Sequence, residues 1–581
     1  MKTVRVAAGG EAARGRRARA VFLAFAILSA GAATAQTPYL PLPTGPSPAE
    51  PRTFALAPEN PPLPPLAVLQ PRVGAGLFPP LEFPVRAFDF SGNRVFSKEE
   101  LARVTAPYAG RTITAEELEQ ARLAVTAHYV QAGYVNSGAV LEDQDLAGGV
   151  VVFKIVEGTL DAVEVRGNRW LRTSFIQHRL ARWTHPPLQV ARLQEALLLL
   201  NEYPMIVKVN ADLQPAGEPG KSRLVVNVKE RFPFHAGLEF SNDRPASVGS
   251  EHLDFIGSDQ SLTGNGDALD FRLGLLNRSK GGAVSGLENF SVGYLLPLTP
   301  WDTTLRLAYR QNDYTVIEEP FAAIGIDGRS SSFDITLRQP LYRTPQTEFA
   351  LSLTGSRRRS ETFLAGRPFS LSPGAVDGES SVTVLRFGQE WLSRTQQQVI
   401  ALRSSFHFGI DALGATNDGT RRNGEFFAWL GQGQYIRRLD RRGTQVILRG
   451  DAQWTSDQLL SLEQFSIGGI DTVRGYRENQ IVRDTGAVGS VELRVPVWLR
   501  GTGRPILQVA GFYDIGAGWD VGAATPDPKM IHSAGVGLIF SPNDKINAEI
   551  YWAHRFTETM TPEKKDLQDW GLNFRVAVYG F

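Results

Sequence analysis

From about residue 232 onward, apolar and polar positions alternate with a period of two. The stretch "FHAGLEFS" sets Phe234, Ala236, Leu238 and Phe240 on one face and His235, Glu239 and Ser241 on the other. "LDFRLGLLN" sets Leu269, Phe271, Leu273 and Leu275 against Asp270 and Arg272. "FDITLRQPLYRTPQTEFALSLTG" reads as two such strands joined by a turn at 340–347. A strand of this kind turns its apolar side either into a sandwich core or toward lipid around a membrane barrel. The region has no helical period, and its short turns alternate with long polar stretches at roughly 241–267, 355–384 and 455–487. Both features favour the barrel. At roughly 20–22 residues per strand with its share of turn, about 16 strands fit, an even number as in bacterial barrels.

Upstream the pattern changes and repeats. "AFDFSGNRVF" at 87–96 is echoed by "AVEVRGNRWL" at 162–171, with Asn93 and Asn168 75 residues apart. Each copy reads strand, turn, helix, helix, strand, strand. Ser97 with Glu100 and Thr114 with Glu117 have capping-box spacing and mark two helix starts. Leu118, Ala121, Val125 and Tyr129 form one apolar stripe on the second helix. In the second copy "VARLQEALLLLNEYP" is the long helix, followed by strands in "MIVKVNADLQP" and "SRLVVNVKE". These are two small α+β modules in tandem, expected at 85–157 and 158–230, ahead of an all-β region at 231–581.

The N-terminus assigns a compartment. Residues 1–19 carry Lys2, Arg5, Arg14, Arg16, Arg17 and Arg19, followed by "AVFLAFAILSAGA" and the small-x-small site "ATA". This predicts a signal peptide at 1–35 and an exported chain. Residues 37–84 hold 15 of the chain's 36 prolines, which predicts an extended, semi-rigid linker over 36–84. The chain has no cysteine, which excludes disulfides, thiolate metal sites and a cysteine nucleophile. A net charge of +1 gives no global field directed at nucleic acid. The "GKS" at 220–222 lacks the glycine a phosphate loop needs, since Pro215 stands there. There is no G-x-S-x-G, no HExxH and no histidine-rich metal cluster, so neither enzyme activity, metal nor cofactor is expected.

One polar stretch stands apart. "GGIDTVRGYRENQ" at 468–480 contains Val473, Arg474, Gly475 and Tyr476, and "GFYDIGAGW" downstream supplies Phe512, Asp514 and Gly516. An export signal, tandem modules, and a barrel with V-R-G-Y and F-x-D-x-G resemble the BamA-type superfamily, whose periplasmic modules are POTRA domains. Two such modules before a barrel of this size resemble the TpsB branch, the two-partner secretion transporters of the ShlB/FhaC/HecB haemolysin secretion/activation family.

The resemblance implies that loop 455–487 folds back into the lumen, where Arg474 meets Asp514 on the wall. A guanidinium and a carboxylate suit that role, because the pair can be bidentate and is poorly screened in a confined lumen. It implies no cofactor and no metal. It also implies an unfolded, large secreted TpsA-type exoprotein of the haemolysin or adhesin class as client, captured by β-augmentation at the strand after the second helix. That strand is Ile206, Val207, Lys208, Val209, Asn210, Ala211, Asp212 and Leu213 in the second module, and Tyr134–Leu141 in the first. Lys208 and Asp212 are the residues that would guard such an edge. The chain's partners would then be outer-membrane lipid and the barrel assembly machinery, which reads the terminal Phe581, with no nucleic acid. Arg575 and Asn573 interrupt the alternation expected before Phe581. The family's N-terminal plug helix fits poorly on the proline-rich 37–84. An assembly factor of the BamA or TamA type and a passive porin are the alternative functions.

Overall fold

The computed structural model describes residues 82–580, except 147, 278–288, 319–323, 418, 420–421, 502–503 and 560–564. The expected signal peptide, nearly all of the proline-rich linker and Phe581 lie outside the described residues.

The first module contains β1 (Glu82–Val85), β2 (Ala87–Ser91), α1 (Lys98–Thr105), β3 (Arg111–Thr114), α2 (Ala115–Gln131), β4 (Gly138–Leu141) and β5 (Val150–Val156). The second contains β6 (Thr159–Arg166), α3 (Thr173–Ala181), α4 (Val190–Asn201), β7 (Ile206–Pro215) and β8 (Lys221–Glu230). Their three-stranded sheets have the same order, β2-β5-β4 and β6-β8-β7. The capping residues work as their spacing predicts. Ser97 Oγ accepts from Glu100 N, and Thr114 with Glu117 forms a reciprocal box at 3.2 and 2.9 Å. Leu118, Ala121, Val125 and Tyr129 are all buried.

The "GNR" repeat has a physical cause. Asn93 Nδ2 donates to Phe96 O, and Asn168 Nδ2 donates to Leu171 O, each at 2.8 Å. The free amides of each turn are taken up by a glutamate at the end of the module. Glu157 accepts from Arg94 N and Val95 N at 2.6 and 2.7 Å, and Glu230 accepts from Arg169 N and Trp170 N at 2.7 Å each.

Two boundaries differ from expectation. Glu82, Phe83 and Pro84, expected as the end of the linker, form with Val85 a strand paired with Arg111–Thr114. Pro84 is tolerated there because this two-stranded ribbon leaves one edge unpaired. The first module's edge strand covers only Gly138–Leu141, not Tyr134–Leu141. Tyr134 instead closes α2, its amide donating to Tyr129 O at 3.0 Å, and its ring packs against Phe96 and Tyr129.

The barrel closes through sixteen strands: β9 (Phe234–Ser241), β10 (His252–Asp259), β11 (Ala268–Asn277), β12 (Asn289–Pro297), β13 (Thr304–Thr315), β14 (Ile326–Arg343), β15 (Thr347–Leu364), β17 (Glu379–Arg394), β18 (Gln398–Ile410), β19 (Phe426–Arg438), β20 (Gln445–Thr455), β23 (Thr485–Arg500), β24 (Arg504–Trp519), β25 (Met530–Asn543), β26 (Ile546–Arg555) and β27 (Leu572–Tyr579). A two-residue ribbon, β16 (Arg367–Pro368), caps β15, and β27 pairs with β9 to close the ring. Phe333, Ile335, Leu337, Val491, Leu493, Val495, Val536 and Leu538 point outward and are exposed, while Thr336, Glu492 and Asp514 point inward and are buried. An apolar exterior around a polar interior is the membrane-barrel arrangement and excludes a soluble sandwich.

Two stretches expected as long polar loops contain strand. Residues 241–267 contain β10, and most of 355–384 belongs to β15 and β17. β14 and β15 each have 18 residues, roughly 60 Å at ~3.3 Å per residue, far more than a ~25 Å apolar band requires. Their outer parts, such as Ser330–Ser332 and Arg357–Arg359, keep the backbone ladder after the apolar alternation has ended. The β14–β15 turn is correspondingly tighter than expected, at 344–346. Asn573 and Arg575 face inward on β27, where Arg575 meets Asp243 at 2.7 Å, and the outward row is Phe574, Val576 and Val578.

The second module sits on the short-turn end of the barrel. Arg172 N donates to Gly264 O at 2.8 Å, Tyr203 OH donates to Asp302, and Arg182 lies 4.1 Å over the Trp301 ring.

Candidate functional site in the barrel lumen

Between β20 and β23 the chain leaves the wall, and residues 456–484 fold into the lumen. A small ribbon, β21 (Phe465–Ile467) with β22 (Ile481–Arg483), forms the stem. Phe465, Ile467, Val473, Tyr476 and Ile481 gather with Leu430 and Ile531 of the wall into a local apolar cluster. The tip is tied by polar groups. Gly468 N donates to Thr472 Oγ1 and Ile470 N to Glu478 Oε1, both at 2.8 Å.

Arg474 lies at the centre of the tip and is 3 % exposed. Its Nε and Nη2 donate to the two oxygens of Asp514 at 2.7 and 2.8 Å, and its backbone N–H adds a third bond to Asp514 at 3.1 Å. Nη1 donates to Glu492, Nη2 also reaches Ser490 Oγ at 3.1 Å, and the guanidinium carbon sits 3.6 Å over the Phe512 ring. A guanidinium remains charged and its planar fork suits a carboxylate, so this geometry uses what lysine lacks. The wall register brings the partners together, because Ser490 stands opposite Asp514 and Glu492 opposite Phe512 on neighbouring β23 and β24.

The other motif residues fit the loop against the wall. Gly475 has φ +88°, a Cβ there would lie 2.6 Å from the Ala553 Cβ, and its N–H donates to Asn573 Oδ1 at 2.8 Å. Gly516 leaves room for Ile467, whose Cγ2 would stand 2.4 Å from an added Cβ. Tyr476 OH donates to His532 O at 2.9 Å and accepts from Thr557 N at 3.0 Å. Ser533 Oγ donates to Arg474 O at 2.6 Å. The structure thus brings Val473, Arg474, Gly475 and Tyr476 together with Phe512, Asp514 and Gly516.

It also adds Glu492, which sequence reading missed. The signal was present: Ser490, Glu492 and Arg494 alternate with Val491, Leu493 and Val495, so Glu492 must face inward. Arg494 shares the Glu492 carboxylate. Arg477 continues the anchoring outward, donating to Asp569 at 2.6 and 2.7 Å and to Glu318 at 2.7 Å.

The expected capture strand lies elsewhere. β7 pairs only with β8, so it forms one edge of its sheet. Val209 is buried, Ala211 and Leu213 pack toward the core, and Lys208, Asn210 and Asp212 are exposed. The ladder skips between Ile206 and Lys208, which leaves a bulge at Val207. The regular edge therefore starts at Lys208 rather than Ile206.

A family model described as haemolysin secretion/activation protein ShlB/FhaC/HecB matches residues 220–540, more than half of the chain. The chain belongs to that family. A second model, the ShlB-type POTRA domain, matches residues 83–158. The outer membrane transporter CdiB of Dickeya dadantii (strain 3937) is 25% identical over 425 residues, 72% of this chain and 73% of CdiB. The heme/hemopexin transporter protein HuxB of Haemophilus influenzae (strain 86-028NP) is 22% identical over 491 residues, 79% and 81% of the two chains.

Among solved structures, CdiB from Escherichia coli superposes with a TM-score of 0.62 at 21% identity, covering 88% of this chain and 93% of CdiB. BamA from Haemophilus ducreyi lacking POTRA domains 1-3 gives 0.50 at 13% identity, with 86% and 100% coverage. These likenesses establish the fold. As a family member, the protein is an outer-membrane β-barrel transporter of the two-partner secretion type, with POTRA domains on the periplasmic side, and not an enzyme.

Proposed function

We propose that this transporter captures one large exoprotein, unfolded, in the periplasm and passes it outward through its barrel without ATP. The regular edge of β7 from Lys208 offers backbone donors and acceptors to an extended client, a sequence-tolerant mode of binding. Folding of the client outside the cell then draws it outward. The client is of the TpsA type, in the haemolysin or adhesin class. The barrel wall meets outer-membrane lipid, and the barrel assembly machinery inserts it by reading Phe581.

The observation that carries this reading is the lumen loop. A lumen segment bound to the wall through Arg474 and Asp514, behind two periplasmic modules for which a passive pore has no use, favours a transporter over a pore. The loop is the movable part, and the Arg474–Asp514 contact sets the position of its tip during export. An expected domain scheme follows from the same reading: signal peptide at 1–35, tether to the first module, two POTRA domains, and the barrel.

The test compares culture-supernatant and outer-membrane proteomes with and without the gene. Loss of one large supernatant protein, with the outer-membrane set unchanged, is the expected result. Joint depletion of many barrels would instead make the chain an assembly factor.

A further inference from the structure

The lumen loop is held at a second place, outside the V-R-G-Y motif. Glu463, on the ascending limb, is 3 % exposed. Its two carboxylate oxygens accept from Arg386 Nη2 on β17 at 2.7 and 2.8 Å. Arg358 Nη1 on β15 lies 3.3 Å from the same carboxylate and donates to Leu462 O at 3.1 Å. Gln453 Nε2 on β20 donates to the Glu463 carbonyl at 2.9 Å. At the tip the loop supplies a cation to wall carboxylates; here it supplies a carboxylate to wall guanidiniums.

The two contacts lie far apart around the ring. β17 is the eighth barrel strand and β27 the sixteenth, so they stand on opposite walls. Glu463 binds the eighth, while Gly475 N–H binds Asn573 on the sixteenth. Arg474 is fixed in between, on β23 and β24. The loop therefore crosses the lumen as a strut fixed at both ends.

We infer that Glu463 is a second anchor of inverted polarity, a positioning residue whose release from Arg386 and Arg358 opens the lumen while the tip stays docked on Asp514. This rests on the reading that the loop moves for export. Each contact has its own task. A buried carboxylate is costly without its guanidinium partners, so losing them weakens the hold of the ascending limb on β15 and β17, where Leu459 and Leu460 still pack against Val382 and Val384. With that contact released, the segment between the end of β20 and the docked tip can shift, and the half of the lumen near β15 and β17 clears. Loss of Arg474 loosens the tip instead and leaves the far limb across the lumen.

The experiment uses the full-length chain in planar lipid bilayers, with barrel folding scored by heat-modifiable mobility. Glu463→Gln keeps the shape and removes the charge. It is expected to raise the time spent in the conducting state at least tenfold over the parent chain. Arg386→Gln is expected to do the same, and the double variant to do no more than either alone. Parent-like conductance in a folded Glu463→Gln, or additive effects in the double variant, would overturn the inference. If Glu463→Gln does not fold, Arg358→Gln removes only the more accessible partner; it should show the same change at smaller amplitude, and no change there overturns the inference equally.

Export is scored in parallel, which separates the two readings. A gene whose loss depletes no secreted protein, with a Glu463→Gln pore that still opens, leaves the anchor standing and removes the exporter. Normal export with no change in conductance removes the anchor alone.

Discussion

In the second periplasmic module the side chains most withdrawn from water are Ile176, Leu180, Leu200 and Val226, all 1 % exposed or less; in the barrel they include Arg474, Asp514, Glu492, Arg386 and Glu463, all 3 % or less. The module hides apolar surface from water, whereas the barrel gives much of its apolar surface to lipid and hides charge beside small apolar clusters. An apolar core is held by area, so losing part of it costs in proportion. A buried ion network is held by pairing, so each partner is needed. In a lumen its members also have a wet alternative, because freed charges can take up water. On the function proposed above, the barrel interior is the half of the molecule that rearranges, and the modules are the half that stays fixed.

The largest effect is expected in the lumen. Arg474→Ala leaves Asp514 and Glu492 without their shared cation, a loss of about 3–5 kcal/mol for a buried pair. Export into the supernatant should fall more than tenfold, while heat-modifiable mobility shows the barrel still folded and inserted. Normal export from this variant would remove the distinction between the two halves. Ile176→Ala tests the apolar half. It should destabilise the second module by about 2–5 kcal/mol, read as faster amide exchange in α3 and α4 with barrel amides unchanged.

The module surface should respond more locally. A photo-crosslinking residue at Asn210 on β7 should trap the unfolded N-terminal segment of the client, and one at Glu164 on the opposite edge strand β6 should trap much less. Equal trapping at both would deny β7 its capture role. The smallest effect is at the first module's cap. Thr114→Ala should cost about 1 kcal/mol, read as increased exchange in the first turn of α2. Arg111, bonded to Glu117 at 2.8 Å, holds that carboxyl below its ordinary value. A depressed carboxyl contributes above its ordinary range and loses its effect as pH falls through the lowered value, so acid should fray the start of α2.

The sequence made some features legible and hid others, for reasons visible in particular residues. Alternation exposed β9 and β11 because Leu238, Phe240, Leu273 and Leu275 face lipid. β10 was missed because "HLDFIGSD" mixes Asp254 and Gly257 into a short strand whose outward row is only Leu253 and Phe255. The distal halves of β14 and β15 have no apolar row at all, so only backbone pairing reveals them. Arg474 and Asp514 were legible through their two motifs. Glu463, Arg386 and Arg358 were not: they come together only when the loop crosses the lumen, and no spacing in the chain encodes that crossing.

The most direct test of the central claim is a double-mutant cycle on Arg474 and Asp514, with export measured as client in the supernatant per folded barrel. Arg474→Ala and Asp514→Ala should each reduce export sharply, and the double variant should be no worse than either one. Reductions that multiply in the double variant would show that the two residues act independently and that the loop is not held through this pair.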